Sequence, residues 1–220
     1  MRRMKVGWTA GALAMAAAML TAAGGCLNYG NYPLDSGTTS LRVTAGVLEL
    51  MEQSLGYVIA DDASSQPRLA SPPAGEPLAA INIPLTLEGA RDLTAAEYRR
   101  VADRAYPGVV PLTEAHSDLP VYQIARIRLR GDDARVDILR PATGLERGVE
   151  NPVYAGIQLS FLGGSGSWRI VRQRLREIGT IDEPRQVTIE EVERAEAGEM
   201  PMQAGIDAAS DASADPASQE

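Results

Sequence analysis

The spacing of apolar residues predicts a helix near the start of the main domain. Four of them recur near the 3.6-residue period of an α-helix, namely Leu41, Leu48, Met51 and Leu55. This pattern predicts a helix over residues 40–56, with Gly56 as its C-terminal stop. The alternative interpretation of the same stretch is a strand at 41–47.

A polar segment and a short strand follow this helix. Residues 61–78 are rich in Asp, Ser, Pro, Gly and Ala, which indicates a surface loop. From Ile81 to Leu87 apolar residues alternate with others, and this period is typical of a strand. Pro84 has no N–H to donate to a neighbour, so the strand is expected at a sheet edge or a bulge.

Capping boxes mark the start of two further helices. In this motif a threonine side chain accepts from the backbone N–H three residues later, and a glutamate there reaches back to the threonine N–H. The motif occurs twice, as Thr94 with Glu97 and as Thr188 with Glu191. The first helix is expected to end near Ala105 and the second, which is short and acidic, at Gly198.

Four strands are predicted in the centre of the chain, at 121–130, 134–140, 154–162 and 167–176. Short Gly-rich links join the first two and the last two, so these neighbours should be antiparallel. Two adjacent carboxylates, Asp132 and Asp133, are compatible with cation binding, but their place after Gly131 favours turn chemistry. The predicted fold class is α+β, with a curved antiparallel sheet of about four to five strands packed on two helices. This single domain is expected to span residues 40–178.

The N-terminus has the pattern of a secretory signal. Arg2, Arg3 and Lys5 precede an uncharged run from Val6 to Gly25, which ends in small residues before Cys26. Residues 1–25 are therefore predicted to be a signal peptide. Ordinary cleavage near the small residues, an uncleaved membrane anchor and twin-arginine export are the alternatives.

The run Ala23-Gly24-Gly25-Cys26 resembles the signal of bacterial lipoprotein precursors. The resemblance implies that Cys26 carries lipid chains, palmitate among them, and becomes the first mature residue. Residues 26–39 are then a lipidated tether that leads to the domain. Because Leu27 rather than Asp follows the cysteine, the resemblance implies an exported protein held on the periplasmic side of the outer membrane more readily than on the inner membrane.

Charge is distributed unevenly along the 220 residues, whose net charge is −8. Residues 120–176 carry 10 arginines and 5 acidic residues, a net charge of +5, whereas residues 177–220 carry 2 arginines and 12 acidic residues, a net charge of −10. Residues 179–198 are predicted to be an acidic linker with a short helix. Residues 199–220 have few large apolar residues and are predicted to be a disordered tail.

The arginines of the predicted sheet are the candidate binding residues. They recur at alternate positions in two strands, as Arg126, Arg128 and Arg130 and as Arg172, Arg174 and Arg176. Side chains two apart lie on one face of a strand, so each set should share a face, with Ile127, Leu129, Val171 and Leu175 on the other. One interpretation is a solvated outer face; the other is a site for carboxylate or phosphate groups, which arginine binds in a bidentate manner. The acidic tail could itself fold back onto this basic sheet.

Catalytic and metal-binding patterns are absent from the sequence. His116 is the only histidine and lies in a polar segment, and zinc-ligand spacings are missing. The Gly-rich segment 163–166 joins two strands, so it is neither a nucleophile elbow nor a phosphate loop. Trp168 is predicted to be a core or sheet-edge aromatic residue. We expect no catalytic residue, no metal, no cofactor and, given the net acidity and export, no nucleic acid partner.

The order helix, strand, helix and four antiparallel strands resembles the nuclear-transport-factor-2-like α+β cone superfamily. The last predicted hairpin adds to the resemblance, because Ile157–Phe161 precedes a Gly-rich turn and the run Trp168-Arg-Ile-Val171. The first functional hypothesis is a membrane-anchored envelope lipoprotein with a non-catalytic domain that binds or scaffolds an anionic envelope component or a protein segment. The alternative is a small cone-fold hydrolase or isomerase that uses an acid in a pocket. That alternative requires a cavity between the helix starting at Thr94 and the sheet.

Overall fold

A computed structural model describes residues 29–33, 41–65, 75–85, 93–116, 118–142, 153–163 and 167–198. The described residues form three α-helices: α1, Ala45–Ser65; α2, Ala95–Ala105; and α3, Ile189–Glu196. They also form seven strands: β1, Tyr29–Tyr32; β2, Ala79–Asn82; β3, Val109–Pro111; β4, Val121–Arg130; β5, Asp133–Pro141; β6, Tyr154–Leu162; and β7, Arg169–Arg176. A 3₁₀ turn spans Glu114–His116.

The strands form one curved, unclosed sheet in the order β3-β2-β4-β5-β6-β7. From β4 to β7 every neighbour is antiparallel, as the short links require for β4 with β5 and for β6 with β7, while a longer connection joins β5 to β6. β2 runs parallel to both β3 and β4, and α2 provides the crossover between β2 and β3. β1 pairs antiparallel with the second half of β4.

The α+β class is confirmed, but the predicted sheet was too small and too uniform. The sheet is mixed and has seven strands rather than four or five, while the three predicted helices are all present. β3 has only three residues, too few for a periodic pattern to show. β1 lies within the segment 26–39 that was predicted to be a tether, and pairing with β4 orders these turn-type residues.

The predicted strands and caps of the central region are confirmed. β4 and β6 have the predicted bounds, and Gly131 takes a φ of 61° in the tight β4–β5 turn, a value that glycine adopts without strain. Both capping boxes are formed, at Thr94 and at Thr188. The predicted position of Pro84 is wrong, because β2 ends at Asn82 and has a neighbour on each side.

Helix α1 continues well past its predicted stop at Gly56. Its last turn reaches Ser65, so the first residues of the predicted loop 61–78 are helical. Gly56 lies inside the helix, where a Cβ atom would overlap the carbonyl oxygen of Ala105. The glycine therefore serves the close approach of α1 to α2 rather than the end of the helix.

One face of the sheet packs against the helices and carries the main core. Ile127, Val136, Ile157 and Phe161 point toward α1 and α2 and are almost wholly buried. Trp168 is also buried in this core, as predicted for a core aromatic residue. The hydroxyl of Tyr98 donates to the carbonyl oxygen of Ile81 at 2.6 Å, which ties α2 to β2.

The opposite, outer face is crossed at one end by residues 177–188, here called the crossing segment. Ile181 packs against Ala125, Leu139 and Tyr154, and its Cδ1 atom would lie 2.7 Å from a Cβ atom at Gly156. A small residue at Gly156 thus makes room for the crossing segment.

The far end of the crossing segment is held by the buried Asn82 on β2. The Asn82 amide donates to the carbonyl oxygen of Arg185 at 3.2 Å and accepts from the N–H of Val187 at 2.8 Å. Among the described residues, the outer side chains of Arg172 and Arg174 on β7 remain exposed.

Candidate anion-binding face

The strand register brings both arginine sets onto one surface. Arg126 pairs with Asp137, Asp137 with Gln158, and Gln158 with Arg174, so this row crosses four strands. Arg128, Arg135, Ser160 and Arg172 form the next row. Directly paired residues of antiparallel strands project to the same side, and this is the outer face.

This arginine face is defined by the side chains that the register places on the outer side of β4, β5 and β7. Its basic members are Arg126, Arg128, Arg130, Arg135, Arg169, Arg172, Arg174 and Arg176. Its acidic members are Asp133 and Asp137. On these strands eight arginines therefore accompany two aspartates, although the overall charge of the protein is negative.

A chain of polar contacts crosses the middle of the arginine face. Arg128 Nη2 lies 2.7 Å from Asp137 Oδ2, and the Gln158 amide donates to Asp137 Oδ1 at 2.6 Å. Arg176 Nη2 then donates to Gln158 Oε1 at 2.8 Å. The nearly buried Asp137 is thereby satisfied on both oxygens, while the buried Nε of Arg128 has no hydrogen-bond partner.

A cavity of about 250 Å³ lies where the arginine face meets the crossing segment. Its cationic lining comes from Arg126, Arg128 and Arg176, and Thr180 and Asp182 close the opposite side. A group the size of a carboxylate or a phosphate fits this volume. Arginine donors directed at such a group form charge-assisted hydrogen bonds.

Two arginines of the last strand, β7, are more exposed to solvent than those at the cavity. Arg172 and Arg174 are exposed, and within the described part of the chain they form no ion pair. They differ from Arg128, which Asp137 already neutralises. The face therefore combines a partly neutralised cavity with free cations beside it.

The apolar residues predicted to lie inward on β7 are not covered. Val171 is 53% exposed and Leu175 is 63% exposed, so the prediction of burial is wrong for both. β7 is the last strand of the sheet, and the helices pack over the strands nearer the centre. Ile127 and Leu129 on β4, by contrast, are buried as predicted.

A second aspartate–arginine contact lies on the helix side of the sheet. Asp62, near the end of α1, is only 2% exposed. Arg140 Nη1 lies 2.6 Å from Asp62 Oδ1, and the Tyr122 hydroxyl donates to Asp62 Oδ2 at 2.9 Å. Burial raises the pKa of Asp62 above its ordinary value, although Arg140 opposes the shift. Because both oxygens are occupied and enclosed, this carboxylate fastens α1 to β4 and β5 and faces no substrate cavity.

The interior between α2 and the sheet is filled with side chains. Tyr98, Val101 and Ala102 occupy it and are fully buried. The cavity that the enzymatic alternative requires is therefore not found at this place among the described residues. A separate groove of about 840 Å³ lies along α1 and α2 beside Ile170 of β7, and its Glu52 is paired with Arg100 at 2.9 Å.

His116 is isolated from other metal-binding side chains. It ends the 3₁₀ turn, and its Nδ1 atom is buried without a hydrogen-bond partner. Over the described ranges no cluster of three or more His, Cys, Asp or Glu side chains is suited to hold a metal ion.

The predicted lipidation site and acidic tail lie largely outside the described residues. Cys26, the leader before it and residues 199–220 belong to that part. The described portion of the acidic segment is α3, which packs on α2: Glu193 pairs with Arg99, and Glu196 accepts from the N–H of Ala95 at 2.8 Å. In the portion of the chain with described structure, no helix has the length and apolar character needed to cross a membrane.

Sequence reasoning missed several parts of the face. Arg135, Asp137 and Gln158 occupy outer positions in β5 and β6, and the alternation of these strands together with the tight β4–β5 turn could have revealed them. No pattern in the sequence indicates that Thr180 and Asp182 line the cavity, because the crossing segment has no periodic spacing of apolar residues.

Three comparisons with known proteins gave no match: no family model, no curated protein and no solved structure resembles this chain.

Proposed function

We propose that this chain is an exported, lipid-anchored envelope protein whose domain binds an anionic partner without catalysing a reaction. The leader ending at Cys26 supports the export and the anchor. The resemblance to lipoprotein signals favours an anchor in the outer membrane over one in the inner membrane, with the domain on the periplasmic side.

The observation that carries the binding proposal is the shared face of the sheet arginines. Eight arginines and two aspartates project from β4, β5 and β7 on one face of the sheet, and three of the arginines meet at the cavity beside Ile181. Arginine pairs with carboxylate and phosphate through two parallel hydrogen bonds, which an ammonium group cannot form. An open arginine face in an acidic protein favours a localised anion site over general attraction to polyanions.

Titration with poly-glutamate tests the carboxylate arm of this proposal, and titration with phosphatidylglycerol vesicles tests the phosphate arm. The double variant Arg172→Gln/Arg174→Gln should weaken binding about five- to thirtyfold, given about 0.5–1 kcal/mol for each exposed charge pair. Binding should also weaken as salt is raised, because exposed charges are screened.

The matched control is Arg99→Gln/Arg104→Gln on α2, which removes the same charge from two exposed arginines away from the face. It should leave binding within about twofold. Equal losses in both double variants would contradict the proposal, because binding would then follow net charge alone.

Mass spectrometry of the mature N-terminus tests the anchor independently. We expect a chain that begins at Cys26 with lipid attached, and a Cys26→Ser variant that leaves the membrane fraction. An unmodified Cys26, or a mature start upstream of it, would refute the lipoprotein assignment.

A further inference from the structure

The outer strand β7 has one edge that no other described strand covers. It ends the sheet order, and every residue from Val171 to Leu175 is exposed. A strand at a sheet edge presents a row of unpaired N–H and C=O groups, which is a template for another strand. Soluble proteins shield such an edge with a covering element, a proline, a very short strand, a bulge or charged side chains, and of these β7 has the bulge at Val171 and its arginines.

The regular part of this edge is Arg172–Arg176. The register with β6 shifts at Ser160 and Phe161, and Val171 is the extra residue of that bulge. Beyond the bulge the strand alternates without interruption. Arg172, Arg174 and Arg176 lie on the arginine face, and Gln173 and Leu175 lie on the helix side.

The two sides of this edge differ in chemistry. The arginine side is cationic, whereas the helix side carries Leu175 at 63% exposure and Tyr57 at 39% exposure. The Tyr57 hydroxyl donates to the Gln173 side chain at 2.8 Å, so the tyrosine ring stands beside the strand. An added strand would therefore meet positive charge on one side and apolar surface on the other.

A second copy of this chain is a poor occupant of the edge. Antiparallel pairing of β7 with itself, centred on Arg172, Gln173 or Arg174, places an arginine directly opposite an arginine. Like charges opposite each other destabilise a strand pair. The matching occupant instead has acidic side chains at alternate positions with apolar residues between them.

We propose that β7 binds an extended segment of another protein by strand addition, through Arg172–Arg176. Backbone hydrogen bonds extend the sheet, acidic side chains of the segment face Arg172 and Arg174, and its apolar side chains contact Leu175 and Tyr57. This inference rests on the proposed anion-binding function and specifies its partner as an alternating acidic and apolar protein segment.

Peptide titrations of the full chain test the inference by fluorescence anisotropy. The probe is a labelled heptapeptide of alternating Glu and Val. The composition control has the same residues in the block order Glu-Glu-Val-Val-Val-Glu-Glu. The alternating peptide should bind at least about tenfold more tightly, because only its two faces match those of β7.

Backbone methylation of the peptide distinguishes strand addition from side-chain attraction. In a strand the N–H groups of alternate residues point to opposite edges. Methylating the nitrogens of the Val residues blocks one edge, and methylating those of the Glu residues blocks the other. One methylated peptide should lose binding at least about tenfold and the other should retain it.

Protein variants locate the contact. Leu175→Gln should weaken binding of the alternating peptide about threefold or more, given the apolar area that the leucine offers. The control is Leu162→Gln, which alters an exposed leucine on β6 away from the free edge and should leave binding unchanged. Equal effects of the two variants would overturn the placement at β7.

The outcomes separate this inference from the proposed function. Equal affinity of the alternating and block peptides, with the Arg172→Gln/Arg174→Gln effect on poly-glutamate intact, overturns strand addition and leaves the anion-binding function standing. A dimer in sedimentation that the alternating peptide does not dissociate overturns it as well, because a second copy would then occupy β7. Binding that appears only after Asp207, Asp211 and Asp215 are replaced by Asn also overturns it, since the chain's own acidic tail would then be the occupant.

Discussion

Each face of the sheet has an aspartate–arginine ion pair, but the two pairs differ in how far they are enclosed. On the helix side, Arg140 and Tyr122 enclose Asp62, which is 2% exposed, and the contact fastens one element to another. On the outer side, Asp137 pairs with Arg128 at a similar distance, but the contact borders a cavity and exposed arginines. The comparison indicates that enclosure rather than residue type separates a structural contact from a binding surface. Four predictions test this contrast.

The largest effect on the free energy of unfolding is expected where α1 packs on α2, on the helix side of the sheet. Gly56→Ala should lower the free energy of unfolding by about 2–3 kcal/mol, because the new Cβ atom overlaps the Ala105 carbonyl oxygen and the helices must separate. Urea unfolding measures the change. Gly46→Ala in the same helix is the control: its nearest neighbour, Trp168 Nε1, is 3.6 Å away, and the change should fall within about 1 kcal/mol. Equal losses would show that the packing of α1 on α2 is loose.

A smaller loss is expected from the buried hydroxyl of Tyr98. Tyr98→Phe should cost about 1–2 kcal/mol, because the N–H of Ile83 loses its acceptor and the carbonyl oxygen of Ile81 loses its donor. Thermal or urea unfolding measures this loss. A variant as stable as the parent would mean that a water molecule replaces the hydroxyl. Water would then reach the core between α2 and the sheet.

The pH dependence of stability should distinguish the enclosed aspartate from its exposed neighbour. Because burial raises the pKa of Asp62 in the folded protein, the folded state binds its proton more tightly than the unfolded state does. The stability that this group contributes is fully present below its ordinary pKa of 3.8 and is lost as pH rises through the raised value.

Unfolding of the parent and of Asp62→Asn over a pH series measures this effect. The stability of the parent relative to the variant should fall as pH rises above 3.8 and then level off. Asp61→Asn alters the exposed neighbour and is the control. If the stability difference between the parent and Asp62→Asn does not change with pH, Arg140 offsets the cost of burying the carboxylate.

The smallest effect on stability is expected from the open arginines. Arg172→Gln/Arg174→Gln should change the free energy of unfolding by less than about 0.5 kcal/mol, because both side chains are exposed and unpaired within the described chain. The same variant is expected to lose anion binding, so stability and binding should separate on this face. A loss of several kcal/mol would instead make these arginines structural.

Much of the candidate face could be predicted from the sequence, and the reason is the two-residue period of a strand. Alternation fixed which arginines share a side of β4 and of β7, and tight turns fixed the neighbours of β4 and β6. Local chemistry likewise predicted both capping boxes. The lipidated Cys26 stays a prediction from the leader alone.

The errors arose where distant parts of the chain meet. Gly56 has the appearance of a helix stop, yet Ala105 determines its role from across the interface. Tyr29–Tyr32 lack any strand period, yet β4 orders them as a strand. Leu175 follows an inward pattern but remains 63% exposed, because the described helices pack mainly over β4 and β5.

The sequence by itself determined most of the helices and strands, both capping boxes, the antiparallel pairing of β4 with β5 and of β6 with β7, and the shared side of the arginines within β4 and within β7, since these follow from local periods and short turns. Only the tertiary structure decided that both arginine sets form one surface, that the crossing segment closes a cavity on it, and that Asp62 is enclosed while β7 is open. Those features depend on register and layer coverage, which are set by contacts between residues far apart in the chain.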